Sequence, residues 1–404
     1  MIIHGDVAFM IISTVLVLIM TPGLAFFYGG LVERRNSLTM MFQSFIAIGI
    51  VPILWIFGGY SLVFGDDIWG VIGNPAQFFL FNNFTPLVVD QYEDTIPRLL
   101  FFMYQMMFAI ITAPLMTGAF ANRLTPSGWI KILIIWTIIV YFPVAHWVWG
   151  NGFLARMGFV DYAGGAVIHI TAGFGCLSGV FFLGRRAYNY TSRPFNLGLV
   201  SIGTALLTFG WFGFNMGGSL TAATTAAIVF TNTGIAASSA MLTWLILHYL
   251  HHKTLSFLEV CVGIIAGFAT VTPCSGYITP RSAVLVGIIG SIICYYCVIF
   301  ERKKWDDSLD VWGVHGMGGF VGTLLIGLLA NPLINNIGSG IRQFGVQLFG
   351  SVLIAIYSLA LTYAIFFIVD KIKSIRVTPE VQQQGLDQFF FKESYTDYIN
   401  NDDE

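Results

Sequence analysis

Eleven stretches of about twenty mainly apolar residues follow one another along this chain, and that repetition restricts its fold more than any single residue does. A helix of ~20 residues rises ~30 Å, the thickness of a bilayer's hydrocarbon core. The runs lie near residues 7–31, 39–64, 98–120, 128–148, 162–183, 196–216, 223–249, 257–278, 282–300, 312–330 and 343–369, each bounded by turn or charge signals. Only 10% of the residues are charged, 56% are hydrophobic and mean hydropathy is +0.78, more apolar surface than a water-facing chain of 404 residues can bury. The sequence therefore predicts an all-α membrane protein of eleven transmembrane helices. The opening run has no basic residue before it and Arg34 and Arg35 directly after it, so it reads as a retained first span rather than a cleaved leader.

Lys and Arg are retained on the cytoplasmic side of membrane proteins, and their distribution orients the spans. With the N-terminus outside, the inward segments hold fifteen of the nineteen basic residues and the outward segments only Arg98, Arg156, Arg281 and Arg342. This predicts an N-out, C-in topology with an odd number of spans. It places the polar tail 370–404 in the cytoplasm, ending in an acidic tip expected to be disordered. The outward segment 65–97 carries Asp66, Asp67, Asp90, Glu93 and Asp94, read either as a field favouring cations at the mouth or as a solvated acidic loop. The five cysteines are odd in number and lie in or beside apolar runs, so they read as packing residues. Asn83-Phe84-Thr85 is a glycosylation sequon on the outer side, with meaning only in a eukaryote.

An internal repeat shows in the arrangement. The fifth span opens at Asp161 and reaches His169, the tenth opens at Asp310 and reaches His315, and the two run in opposite directions across the membrane. Five spans plus five inverted spans, with one appended, is the expected architecture. Its halves cover about 1–190 and 191–335, the extra helix 343–369, and the transport site falls near the midplane between the halves.

Ionisable residues within spans are expensive and thus candidates for function. Of seven histidines only His169 and His315 lie deep, ~12 Å and ~8 Å along their helices from the aspartates. They read either as a hydrogen-bonded pair, one imidazole donating and the other accepting, or as two separate core histidines. His248, His251 and His252 are a weak metal candidate, lacking a suitable fourth ligand nearby. Both deep-histidine spans are rich in glycine, which lets helices approach closely. Tyr104, Phe108, Trp149, Trp211, Phe212 and Phe214 read on composition alone as belt or packing aromatics. No nucleophile, metal set or cofactor motif lies in a water-accessible stretch, so an enzyme is not expected.

The chain resembles the Amt/Mep/Rh superfamily of ammonium transporters, and its Amt/Mep branch in particular. The matching stretches run over almost its whole length: FFYGGLV at 26–32, GAFANR at 118–123, AHWVWGNG at 145–152, DYAGGAVIHITAG at 161–173, GWFGFNMG at 210–217, ATVTPCSGYI at 269–278 and DVWGVHGMGG at 310–319. The resemblance implies that His169 and His315 are the family's twin-histidine proton relay. It implies that Phe108 and Phe214 are its stacked gate, that Trp149, Tyr104 and Phe108 recruit ammonium outside, and that Asp161 is structural beside that site. Trp211 would line the pore. Where the family's recruiting serine is common this chain has Gly218, with Ser219 one place later as the candidate substitute. In the tail, Phe389-Phe390-Phe391-Lys392 replaces an acidic, histidine-containing stretch of the family's regulatory pattern.

The resemblance further implies a plasma-membrane homotrimer with one pore per protomer. Its substrate would be ammonium or ammonia, with methylammonium as a further candidate. A P-II-type nitrogen regulatory protein is the expected cytoplasmic partner; no cofactor, metal or nucleic acid is expected. An Rh-like neutral gas channel and an ammonium sensor signalling through the tail are the alternatives.

Overall fold

A computed structural model describes residues 2–84, 89–90, 93–187 and 194–395. Thr85 of the sequon, Arg193, the side chains of Asp90, Glu93 and Asp94, and the acidic tip lie outside the described part. The helices are α1 His4–Leu31, α2 Arg34–Phe64, α3 Arg98–Phe120, α4 Pro126–Arg156, α5 Gly165–Leu183, α6 Leu197–Ser219, α7 Thr224–His252, α8 Phe257–Val271, α9 Pro280–Lys304, α10 Trp312–Leu329 and α11 Ile341–Ile372. Among the described residues, ten of these are long and apolar enough to cross a membrane by length and composition, and α8 is a shorter apolar helix.

Helix starts follow from capping chemistry. Thr125, Asn196, Ser256 and Thr279 each accept an amide of the following first turn with a side-chain oxygen, and Pro126 and Pro280 occupy the first helical position, where a missing N–H costs nothing. The fourth span runs on to Arg156, past its expected end at 148, and the eighth stops short of its expected 257–278. α8 ends at Val271, because Pro273 has no amide to donate, and the chain continues in turns closed by the Cys274 amide on Val271 O (3.1 Å) and the Tyr277 amide on Cys274 O (2.9 Å).

α1 packs along α6, α7 along α8 and α9, and α5 lies against α10 and α11. The α5–α10 crossing is made by glycine: a Cβ on Gly173 would sit 2.2 Å from the Gly316 backbone. Large apolar side chains such as Phe209 (63% exposed) and Ile356 (62%) face outward, as a lipid-facing surface requires.

The basic connections gather at one end, where Arg123 joins three of them. Its guanidinium donates to Gly184 O (2.6 Å), Asp306 O (2.6 Å) and Ser308 Oγ (3.1 Å), and its carbonyl accepts the Val377 amide (2.9 Å). The tail docks at the same end through α12 (Pro379–Gln384) and α13 (Leu386–Phe390). Asp387 there accepts the Leu38 amide (3.0 Å), the Thr39 amide (2.8 Å) and the Thr39 hydroxyl (2.7 Å), so a tail residue caps the start of α2.

Candidate functional site

At the end opposite the basic connections, a cavity of about 180 Å³ is walled by Tyr104, Gln105 and Phe108 of α3, Trp149 of α4, and Asp161, Tyr162 and Gly218 among others. Trp149 donates its indole N–H to Asp161 O (2.9 Å), and its ring meets Phe108 edge-on at 5.9 Å. Tyr104 packs on Phe108 at 4.8 Å and donates its hydroxyl to Phe214 O (3.0 Å). Ser219 does not line this cavity; its hydroxyl donates to Met216 O (2.6 Å) within its own turn. The space a side chain at 218 would need is filled by Tyr162, whose carbonyl would lie 2.8 Å from a Cβ there.

The Asp161 carboxylate shapes the start of α5. Oδ1 accepts the amides of Gly164 (2.9 Å) and Gly165 (2.8 Å), and Oδ2 those of Ala166 (2.7 Å) and Val167 (3.0 Å), the four donors a helix N-terminus leaves unpaired. Burial pushes this carboxyl up, and the four amides pull it back. Gly164 is left-handed at φ 112°, which permits the sharp entry. This cap is why α5 begins at Gly165 rather than at the expected 162.

Phe108 and Phe214 close the floor of the cavity with ring centroids 4.5 Å apart. Beneath them lies a constriction of about 10 Å³, room for roughly one water, lined by Phe214, Ile168, His169, Trp211 and His315 among apolar side chains. The two histidines meet here, with centroids at 5.2 Å and planes 22° apart. They stack rather than share a hydrogen bond, and neither ring nitrogen of His169 has a partner; of the two readings the sequence left open, the donor–acceptor bond is not formed in this geometry. Trp211 enforces the arrangement, lying nearly parallel to His315 (7°) and to His169 (28°). The indole is itself held by Phe268, stacked at 5.1 Å, and by Thr272 Oγ1, which accepts its N–H at 2.9 Å. Thr272 and its partner Asn215 (3.1 Å) were not anticipated from sequence.

Each histidine sits on a π-helical turn, Gly165–Ile170 and Trp312–Gly316. The symmetry differs from the expected one in its second aspartate. Asp307, not Asp310, accepts the Trp312 amide (2.8 Å) at the start of α10, while Asp310 pairs with Arg302 (2.8 Å). The equal spacing of Asp161 to His169 and Asp307 to His315 was the available signal. His315 also lines a third cavity, of about 440 Å³, which opens at the basic end. Among the described residues no three His, Cys, Asp or Glu have metal-binding geometry; His248 stacks on His252 at 4.5 Å and stands 3.9 Å from Glu259.

Fold and site together define a multi-pass helical membrane protein with an aromatic-walled cavity above a constriction that holds two histidines. The family model for the Ammonium Transporter Family matches residues 8–396, and the chain belongs to that family. It is 41% identical to a putative ammonium transporter of Methanothermobacter thermautotrophicus over 95% of this chain and 96% of the relative. It is also 41% identical to ammonium transporter Amt1 of Archaeoglobus fulgidus, covering 95% and 97%. The crystal structure of Candida albicans Mep2 superposes with a TM-score of 0.86 at 32% identity, over 94% of this chain and 87% of that one. A structure titled Sensor Amt Protein gives 0.88 at 30%, over 96% and 98%.

Proposed function

We propose that the chain takes up ammonium at the aromatic cavity, removes its proton and passes ammonia between the histidines toward the basic end. In this reading residues 1–369 form the transmembrane domain, with inverted halves about 1–190 and 191–335, and 370–404 the cytoplasmic regulatory tail. The N-terminus lies outside. The supporting observation is a single line of groups: Phe108 floors the outer cavity, touches Phe214 at 4.5 Å, and Phe214 shares the constriction with His169 and with His315, which reaches the basic-end cavity.

Ammonium exchanging water for the faces of Trp149, Tyr104 and Phe108 gains a cation–π interaction of ~2 kcal/mol when desolvated. The apolar constriction then disfavours charge, so nitrogen crosses as ammonia while the imidazoles handle the proton. Potassium has no proton to give up and is excluded on that ground. The test is ammonium-dependent current in reconstituted membranes at constant potassium; neutral flux without current would point to a gas channel instead.

Phe214→Ala is expected to open the passage to water or larger cations, and Phe108→Ala to weaken uptake at low ammonium with little change in selectivity. Measured conductance for potassium and methylammonium separates this from simple packing. Were the rings only packing residues, each truncation would cost about 3–5 kcal/mol and lower folded yield with selectivity intact.

The assembly proposed is a homotrimer in the plasma membrane with an independent pore in each protomer. Mixed oligomers of active and inactive subunits check it, since an inactive subunit silencing its neighbours would argue for a shared pore. A signalling role through the tail, with a P-II-type protein as partner, is the second reading. It is favoured by the Asp387 cap on α2 and by the likeness to Sensor Amt Protein. An uptake-dead pore variant that still triggers a cellular response would establish it.

A further inference from the structure

Asp307 holds the same place before His315 that Asp161 holds before His169, but its oxygens are used differently. Both oxygens of Asp161 are taken by amides. Oδ2 of Asp307 accepts the Trp312 amide, while Oδ1 has no hydrogen-bond partner although the residue is only 4% exposed. A buried acceptor left unpaired costs about 1–3 kcal/mol. The residue also lines the 440 Å³ cavity that reaches His315, whose Nδ1 is likewise unpartnered, and that volume is ample for connected water.

The charges facing Asp307 come from several elements. Arg123 faces it from the α3–α4 connection, Asp310 from its own loop, Glu301 from α9, Tyr28 from α1 and Cys176 from α5. Arg302 is committed to Asp310, and Arg186 to Asp306. Burial, with Asp310 adding to it, pushes the Asp307 carboxyl up to about 6 against the pull of the α10 amides and Arg123. The group therefore changes charge near the pH at which cytoplasm operates.

We propose that Asp307 is the proton-exit group of the pore, taking the proton that leaves His315 through water in the basic-end cavity and releasing it at the mouth. The inference rests on the deprotonation reading above. In the first step an N–H bond of the His315 imidazolium breaks as an O–H bond of Asp307 forms, through intervening water, and the imidazole returns to neutral. In the second that O–H bond breaks as an N–H bond of ammonium, or an O–H bond of hydronium, forms. The carboxylate is thereby regenerated.

The test uses the full chain in proteoliposomes of known orientation, with the ammonium gradient and external pH fixed and internal pH varied. Inward ammonium current should fall as internal pH drops through about 6, because a protonated Asp307 cannot accept another proton. Asp307→Asn keeps an oxygen for the Trp312 amide and so preserves the cap, but it should lower proton-coupled current by roughly tenfold or more and flatten the internal-pH profile. Asp310→Asn removes a neighbouring negative charge and should move the midpoint to lower internal pH. This second variant decides the matter if the first does not assemble. Comparison at identical gradients cancels the change in driving force. Wild-type current and profile in Asp307→Asn, or an unmoved midpoint in Asp310→Asn, overturns the role of Asp307 alone. Absence of ammonium-dependent current in the unaltered protein overturns it together with the deprotonation reading.

Discussion

Alanine at either His169 or His315 is expected to abolish proton-coupled ammonium current, with the double substitution doing little further harm. The two rings stack at 5.2 Å in a constriction with room for about one water, and among the described residues they are the only titratable side chains lining it. Each ring leans on Trp211 and on the other, so removing one also releases its neighbour, and groups that act as a unit are strongly non-additive. An Asp or Glu at one position should restore some proton handling while admitting hydrated cations, read as potassium leak. Single alanine variants that assemble, carry normal current and still exclude potassium would leave the histidines as polar lining.

Arg123→Ala should destabilise the protein by about 3 kcal/mol or more, among the largest effects of any single change outside the pore. Arg123 is 1% exposed, and its guanidinium ties the α3–α4 connection to the α5–α6 and α9–α10 connections. Burial lowers it only to about 10, with Asp306 opposing, so it is charged at neutral pH. Removing it leaves the carbonyls of Gly184 and Asp306 and the hydroxyl of Ser308 without that donor. Lys at this position carries the charge but not the planar fork, and should recover less than half of the loss. Thermal unfolding of the purified protein checks this, and an alanine variant melting with the wild type would remove Arg123 from its joining role.

The spans were legible because length and apolarity are properties of the chain itself. An unbroken apolar run of the right length has few other folds available, and the helices follow the expected runs except at the far ends of α4, which runs on to Arg156, and of α8. In α8 Pro273 outweighed hydropathy, since an apolar stretch can as well descend in turns as in a helix. His169 and His315 stood out because an ionisable group in hydrocarbon is costly, yet their relative orientation depends on Trp211 and on the Thr272 and Asn215 bonds behind it. Those are long-range contacts that no local pattern encodes. Asp310 drew attention over Asp307 by standing next to the tenth span, and only the amide geometry shows which one caps it. Arg123 was one of fifteen basic residues counted for orientation; its burial arises from three connections distant in sequence.

The two π-turns that hold the histidines set the phase of the helices that follow them. A π-turn is an α-helix holding one residue more than its hydrogen bonds need, and each residue of an α-helix turns its successor by about 100°. Everything beyond Ile170 in α5, and beyond Gly316 in α10, is therefore phased about 100° away from where a regular α-helical first turn would have put it. Gly173 lies one turn beyond His169, and Gly316 closes the wide turn that holds His315, so the close glycine contact falls beside the two imidazoles. Close helix packing and the two buried imidazoles are thereby accommodated within a turn of each other in both α5 and α10.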